Sequence, residues 1–310
     1  MLQLPAGGRR PLLREWPTWV ALGVCYSLWC LITASHAAIG LVWVVPAAVL
    51  VAFHSSLQHE ALHGHPTPSR ALNEALVFPA LGLILPYRRY RETHIHHHAD
   101  SRLTDPYDDP ETWYVAEGDL ADASRPMRWI LEANRTLAGR MLVGPVLGIV
   151  GFYRSDLRRM LSGDRRVLGH WLLHLPAMAP VLAWLWWVGV PLWLYLLLVV
   201  WPAQSLLAIR TFIEHKAEPE PAHRSVIVEA ELPFRLLFLN NSLHALHHAR
   251  PSLPWHELPA EYAERRGEIL AGNGAYLVPG YGAVFRDYFL RAREPVAHPF
   301  LRKDGTAPGE

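Results

Sequence analysis

The chain has 310 residues, of which 51% are hydrophobic, and its formal net charge is only +1. This balance gives no reason to expect a nucleic-acid partner, because nucleic acid attracts strongly basic proteins. The distribution of the charges is more informative, since residues 15–69 and 167–209 contain no Lys or Arg. Windows of this length without a cation are hard to explain in a soluble fold, so the sequence predicts a membrane protein.

The N-terminal part of the chain is predicted to be a basic tail followed by a helical hairpin. Residues 1–15 contain Pro, Gly and Arg, whereas residues 16–35 and 38–55 are apolar and each close to one span in length. The connector between the two helices is short and uncharged. If the second helix continues past its span, it carries His59 and His63 to the membrane surface.

Two apolar stretches between the charge-free windows are too short to span a membrane. We expect residues 73–85 to form an interfacial or re-entrant helix, and residues 139–153 to lie in the interface. A second group of histidines, at residues 94–98, follows the first of these stretches. A turn-rich acidic loop at residues 105–111 comes directly after it.

The second charge-free window predicts a second hairpin, with helices over residues 171–188 and 191–209. A short apolar run at residues 233–243 then leads to the last histidine cluster. Every basic segment lies outside the two hairpins. The positive-inside rule therefore predicts that both termini and all the histidine clusters are cytoplasmic.

The predicted fold is an all-α integral membrane protein. It has four transmembrane helices arranged as two hairpins, together with interfacial helices and a cytoplasmic cap that carries the histidines. We expect a cytoplasmic tail over residues 1–15, a single membrane domain over residues 16–259, and a cytoplasmic C-terminal cover over residues 260–310.

Eight of the eighteen histidines form three clusters, which we call boxes one, two and three. In chain order their members are His59 and His63; His94, His97 and His98; and His244, His247 and His248. Positions i, i+3 and i+4 share one face of a helix, so each box is predicted to direct its imidazoles at one point. His215 is a ninth candidate, because it follows the fourth span as box one follows the second. His96 lies off the shared face and is excluded.

Nine imidazoles exceed what one metal can use, and two metals with four or five nitrogen ligands each fit the count. A set rich in histidine and poor in cysteine suits iron, zinc, copper or nickel. A histidine that binds a metal normally donates its second N–H to a carboxylate or an amide. The polar residues near the boxes that are candidates for this role are Glu60, Asp100, Glu214, Asn240 and Asn241.

Two other classes of protein are compatible with parts of this pattern. His59-Glu-Ala-Leu-His63 matches the H-E-x-x-H helix of zinc proteases, but an intramembrane protease of this kind would leave boxes two and three without a purpose. A histidine-rich metal transporter is the other alternative. It would need ionisable groups within the spans, and His170 and His174 lie only at the start of the second window.

The pattern H-x3-H, H-x2-H-H and H-x2-H-H on two hairpins resembles the membrane fatty-acid desaturase and hydroxylase superfamily. The resemblance covers residues 16–259. It is strengthened by the phrases QHEALHGHP at residues 58–66, LTDP at 103–106, RTFIEH at 210–215 and PWHELP at 254–259. These phrases are most similar to a bacterial branch near the terminal-alkene-forming fatty-acid decarboxylases, the hydrocarbon oxygenases and the carotenoid ketolases.

The resemblance implies a non-haem centre of two iron ions that uses O2 and two electrons to attack an unactivated C–H bond. It implies nine ligands: His59, His63, His94, His97, His98, His215, His244, His247 and His248. It also implies a bacterial inner-membrane location and a fatty acyl lipid as substrate. No cytochrome b5 motif is fused to the chain, so we expect a separate ferredoxin and its reductase, for which Arg88, Arg89 and Arg91 are a candidate docking surface.

Fatty-acid desaturation is the first expectation for the reaction. Hydroxylation, and oxidative decarboxylation of a free fatty acid to a 1-alkene, remain open beside it. All three begin by removing a hydrogen atom from the chain. They differ in which carbon is presented to the metals, and the boxes do not encode that choice.

Overall fold

The computed structural model describes residues 12–99 and 102–300. Four helical segments are long and apolar enough to cross a membrane: Trp16–Ala34, His36–Leu62, Arg165–Val188 and Leu192–Thr211. They form two hairpins, and the described chain is otherwise mostly helical. The prediction of an all-α membrane protein with four spans is therefore confirmed.

The α-helices through the first three quarters of the chain are α1 Trp16–Ala34, α2 His36–Ile39, α3 Val44–Leu62, α4 Arg70–Leu76, α5 Tyr87–Ala99, α6 Glu117–Asp122, α7 Arg125–Ala133, α8 Leu137–Leu142, α9 Gly144–Leu161, α10 Arg165–Val188, α11 Leu192–Tyr195 and α12 Trp201–Thr211. The remaining α-helices are α13 Leu232–Leu237, α14 His244–Ala249, α15 Leu258–Gly272 and α16 Tyr281–Tyr288. The two strands are β1 Ile227–Val228 and β2 Leu277–Val278. Shorter turns of helix are Leu12–Glu15, Gly40–Trp43, Leu196–Val200 and Pro221–His223.

The second span is longer than predicted, because α3 continues without interruption to Leu62. No helix-breaking residue follows Pro46 until Gly64 and Pro66, so the chain has no reason to leave the helix at residue 55. Box one therefore begins in the last turn of α3. The third span also begins earlier than predicted, at Arg165, where the Asp164 side chain accepts hydrogen bonds from two backbone N–H groups at 3.1 Å.

Buried hydrogen bonds join the two hairpins inside the bundle. The Trp29 indole donates to the Tyr195 hydroxyl at 3.0 Å, and the Trp184 indole donates to the Thr33 hydroxyl at 2.9 Å. By contrast, Trp186 is 83% exposed near the connector between α10 and α11. That position lies at the end of the bundle opposite the histidines and suits an aromatic residue at a membrane interface.

The apolar stretch at residues 73–85 enters the bundle, but it is not a helix beyond Leu76. Pro79, Gly82 and Pro86 break the helix, and Leu83 has a φ of 60°. Helices α10 and α11 supply hydrogen-bond partners for backbone groups that the break in the helix leaves unpaired. The Ala80 N–H donates to the Ala177 carbonyl at 3.0 Å, and the Tyr195 hydroxyl donates to the Leu81 carbonyl at 2.8 Å. The re-entrant alternative is therefore correct, and the expectation of a helix through residue 85 is wrong.

The C-terminal part of the chain folds back onto box three. β1 and β2 pair in parallel, with Ile227 opposite Leu277, and α15 packs against α14. Part of the C-terminal region therefore lies against the helix that carries box three. The predicted segment 139–153 lies on α8 and α9, which pack on α12. Residues 1–11, which make up most of the predicted N-terminal tail, and residues 301–310, the end of the predicted C-terminal region, lie outside the described parts of the chain.

Candidate metal centre

Four segments bring the nine candidate histidines together at one end of the bundle. Box one lies at the end of α3, box two on α5 and box three on α14, whereas His215 follows α12 directly. Their potential ligand atoms form two groups, and within each group these atoms lie within 4.8 Å of one another. The five-histidine group contains His59, His63, His94, His98 and His247. The four-histidine group contains His97, His215, His244 and His248.

Boxes two and three each contribute to both groups, so the expectation that every box points at one site is wrong for these two. Successive helical residues are rotated by about 100°, which separates the i+3 and i+4 side chains by that angle. The i and i+4 pair His94 and His98 enters the five-histidine group, whereas His97 enters the other. In box three, the i and i+4 pair His244 and His248 enters the four-histidine group, whereas His247 enters the five-histidine group.

The facing ring nitrogens are close enough for shared ligation. The Nε2 atom of His215 lies 3.1 Å from Nε2 of His97 and 2.9 Å from Nε2 of His244. In the five-histidine group, Nε2 of His98 lies 3.1 Å from Nε2 of both His94 and His247. The two groups adjoin each other, since the rings of His98 and His248 stack with centroids 4.1 Å apart.

Carboxylates from the acidic loop fix two of these rings from outside. His97 donates from Nδ1 to Asp109 at 2.8 Å, and His94 donates from Nδ1 to Glu111 at 2.8 Å. Each Nε2 atom is thereby left with a lone pair that faces its group. The loop itself is predictable from its turn residues and acidic composition, but neither carboxylate was among the polar residues expected beside the boxes. Its position directly after box two was the signal that could have identified both carboxylates.

Two of the five polar residues expected beside the boxes make close contacts with box three. Asn241 Oδ1 lies 3.2 Å from Nδ1 of His244, and Glu214 Oε1 lies 3.4 Å from the same atom. Glu60 Oε1 is 3.9 Å from Nδ1 of His59. Asn240 instead donates to a backbone carbonyl, that of Trp255, and residue 100 lies outside the described chain.

Burial keeps most of these imidazoles in the neutral form that binds metals. Desolvation, together with neighbouring histidines, holds the pKa of His247 and His248 well below the usual value and lowers the pKa of His215 to about 3. His97 differs. Desolvation lowers its pKa, but the charges of Glu111 and Asp109 outweigh that effect and raise the pKa to about 9.

The histidines that were set aside from the ligand set lie outside both groups. His96 is exposed and contacts the Asp108 carbonyl at 3.1 Å, although it shares α5 with box two. The Nε2 atom of His54 forms a hydrogen bond with the Tyr26 hydroxyl at 2.9 Å. The Nε2 atom of His256 lies 3.8 Å from Oε2 of Glu15. The zinc-protease alternative is disfavoured, because nine histidines converge where a protease helix needs one further ligand.

Arg89 is not available for docking an electron donor. Its side chain is buried, and it binds Asp156 at 2.8 and 2.9 Å and Glu92 at 2.6 Å. The expectation of a docking surface that includes Arg89 is therefore wrong. A run of arginines on one helix predicts a basic surface only when all of them face solvent, and α5 turns Arg89 towards α9.

A cavity of about 1060 Å³ connects the bundle with the four-histidine group. Its apolar lining includes Val51 on α3 and Leu83 and Ile84 in the re-entrant segment. Its polar lining includes Glu111 and His215. The cavity therefore joins an apolar region in the bundle to a charged region beside His215, an arrangement that suits a substrate with a hydrocarbon chain.

Comparison with known proteins agrees with this arrangement. Beta-carotene ketolase from Paracoccus sp. (strain N81106 / MBIC 01143) is 25% identical over 261 residues, which cover 78% of this chain and 86% of the ketolase. The family model for fatty acid desaturases matches residues 36–280, a range that includes all three boxes, His215 and every predicted span except the first. The chain belongs to the fatty acid desaturase family.

Proposed function

We propose that the nine histidines bind two iron ions and that the protein is an O2-dependent lipid oxidoreductase. The single observation that carries this proposal is the convergence of the nine histidines on two groups of nitrogen donors at one end of a four-helix membrane bundle. When bound, the iron pair would supply the oxidising power to break an unactivated C–H bond. An all-nitrogen donor set also accepts zinc or copper, so family membership is what favours iron.

The chain's own residues prepare this site. Asp109 and Glu111 hold the His97 and His94 rings in the tautomer whose Nε2 atom is free to bind. Most of the buried histidines stay neutral and accept a cation without first losing a proton, whereas His97, whose pKa is raised to about 9, must release one. The apolar part of the cavity, which includes Val51 and Leu83, would hold a hydrocarbon chain in the space that reaches His215.

A fatty acyl chain is the proposed substrate, and desaturation the proposed reaction. The chain would lose two hydrogen atoms, and O2 would be reduced to two waters with two electrons and two protons from an external donor. A separate ferredoxin with its reductase is proposed as that donor. Hydroxylation, or decarboxylation of a free acid to a 1-alkene, would use the same residues with a different carbon presented. We further propose that the boxes face the cytoplasm of a bacterial cell.

Product analysis tests the proposed reaction. The iron-loaded protein would be supplied with a saturated free fatty acid, O2, ferredoxin, ferredoxin reductase and reductant, and the products separated by gas chromatography with mass spectrometry. An internal alkene is expected. An alcohol would instead indicate hydroxylation, and a terminal alkene one carbon shorter would indicate oxidative decarboxylation. A reduced, iron-loaded protein that oxidises no acyl substrate would contradict the proposed function, and the iron-depleted protein is the control.

Oxygenation of a carotenoid is a second candidate, favoured by the similarity to the Paracoccus ketolase. The same reducing system with β-carotene would then yield a ketone. We rank this reaction second because the ketolase is only 25% identical, whereas the fatty acid desaturase model covers residues 36–280 with all three boxes and His215.

Asp109→Asn is expected to weaken metal binding at the four-histidine group by about 10- to 100-fold while the protein stays folded. The variant keeps the shape of the side chain but removes the charge that holds His97 in place. Competition with a chelator measures the affinity. Asp108→Asn is the matched control, because Asp108 lies on the same loop but contacts Arg102. Equal metal affinity in the two variants would show that Asp109 does not support the site.

A further inference from the structure

Three of the arginines that line the cavity reaching His215 lie close to one another, and a single carboxylate, that of Glu294, pairs with two of them. Arg135 and Arg293 lie 3.3 Å and 3.6 Å from the two oxygens of Glu294. The third, Arg140, lines the same cavity. Three guanidinium charges therefore face one carboxylate charge.

Arg140 is the residue of this cluster that lacks an acidic partner. It is only 3% exposed, and its Nε atom donates to the backbone and side-chain oxygens of Asn134, each at 3.2 Å. Within residues 12–99 and 102–300, no carboxylate forms an ion pair with it. Burial and the charges of Arg135 and Arg293 lower the pKa of Arg140. An arginine nevertheless keeps its proton in proteins, so the cluster holds a buried cation without a counter-charge.

The surroundings of Arg140 hold its guanidinium in one orientation. The group stacks on the Trp113 ring at 3.9 Å and lies 5.7 Å from the centroid of Phe212. Stacking occupies the faces of the plane and leaves its edge free for a planar acceptor. Gly144 makes room for this arrangement, because a Cβ atom there would lie 2.8 Å from Cδ of Arg140.

We propose that Arg140 binds the carboxylate of a free fatty acid whose chain occupies the cavity. This inference rests on the proposed function and specifies its substrate class. A carboxylate matches the planar edge of a guanidinium and supplies the missing charge. A small soluble anion would make no use of the apolar walls at Val51 and Leu83, and an acyl ester or thioester would bring no charge to Arg140.

The head-group site adjoins the four-histidine group. Arg293 donates to the backbone carbonyl of His215 at 3.0 Å and to that of Phe212 at 2.6 Å, and Phe212 also flanks Arg140. An acid held at Arg140 is thus anchored beside the candidate metal centre. The position of the carboxylate then decides how far along the chain the oxidised carbon lies.

Calorimetric titration of the full-length, iron-loaded protein with hexadecanoic acid and with its methyl ester tests the proposal. The wild-type protein is expected to bind the acid at least about tenfold more tightly than the ester, because only the acid pairs with the buried cation. Arg140→Gln is expected to bind the two probes equally, and Arg140→Lys to keep part of the preference. Arg158→Gln, at an exposed arginine of α9, is the control and is expected to behave as wild type.

Equal binding of acid and ester by the wild-type protein would overturn the head-group site and leave the acyl-chain function standing. A full preference for the acid in Arg140→Gln would likewise overturn it. If the wild-type protein bound neither probe, both the head-group site and the proposed fatty acyl substrate would fail. The wild-type comparison needs no variant, so the proposal stays open to refutation even if Arg140→Gln does not fold.

Discussion

Replacing His247 with alanine is expected to abolish turnover and to lower the iron content from about two atoms per chain to about one. His247 is buried in the five-histidine group, with its ring centroid 4.6 Å from those of His59 and His63. Although His248 is the next residue, it belongs to the other group, so His248→Ala is expected to lose the other iron. Elemental analysis of the purified variants and assay of the oxidised product measure the two effects.

His96→Ala is the matched control for both variants. His96 shares α5 with box two but is exposed and contacts a backbone carbonyl instead of a metal group. It is expected to keep both irons and full activity. A His247→Ala protein that stays active with its iron intact would remove His247 from the ligand set. If the wild-type protein bound zinc tightly and contained no iron, the whole oxygenase proposal would be contradicted.

Arg89→Leu is expected to lower the free energy of unfolding by about 3–5 kcal/mol. The substitution leaves the fully buried Asp156 carboxylate without the guanidinium that contacts both of its oxygens. The Trp171 indole would still donate to Asp156 at 2.8 Å, but a neutral donor does not balance the charge. Denaturant titration in detergent micelles, followed by tryptophan fluorescence, measures the change.

Arg88→Leu provides the comparison for Arg89. The Arg88 side chain is 46% exposed and pairs with Glu74, so we expect its loss to cost less than about 1 kcal/mol. Equal destabilisation by the two substitutions would contradict the assignment of Arg89 to a buried structural pair. If Arg89 were instead a surface residue that docks a ferredoxin, its variant would weaken donor binding and leave stability unchanged.

The charge-free windows were sufficient to predict both hairpins, because a membrane span requires a long apolar run whatever the rest of the fold does. The re-entrant segment was harder to predict. Its length identified it as non-spanning, but the conformation beyond Leu76 depends on acceptor and donor groups in α10 and α11. One of those partners is the Tyr195 hydroxyl, which lies 114 residues further along the chain than Leu81.

The candidate site likewise has a part that the local sequence predicts and a part that depends on tertiary contacts. Histidine spacing identified eight of the nine residues that the structure brings together, since i, i+3 and i+4 periodicity is local, and the position of His215 after the fourth span identified the ninth. The outer carboxylates Asp109 and Glu111 were missed because their loop returns to α5 only in the folded chain. Arg89 was wrongly predicted to lie on an exposed surface for a related reason. Nothing in an arginine-rich stretch of sequence shows which arginine pairs with an acidic side chain on α9.

By itself, the sequence determined the class of this protein: four membrane spans, three histidine boxes and a ninth histidine, in the pattern of the fatty acid desaturase family. Only the tertiary structure decided how these histidines divide into two groups, and that an unpaired Arg140 lines the same cavity as His215. The physical reason is the distance along the chain over which each property is determined. Hydropathy and helical periodicity are properties of a single helical segment, whereas metal grouping and charge pairing depend on the packing of helices far apart in the chain.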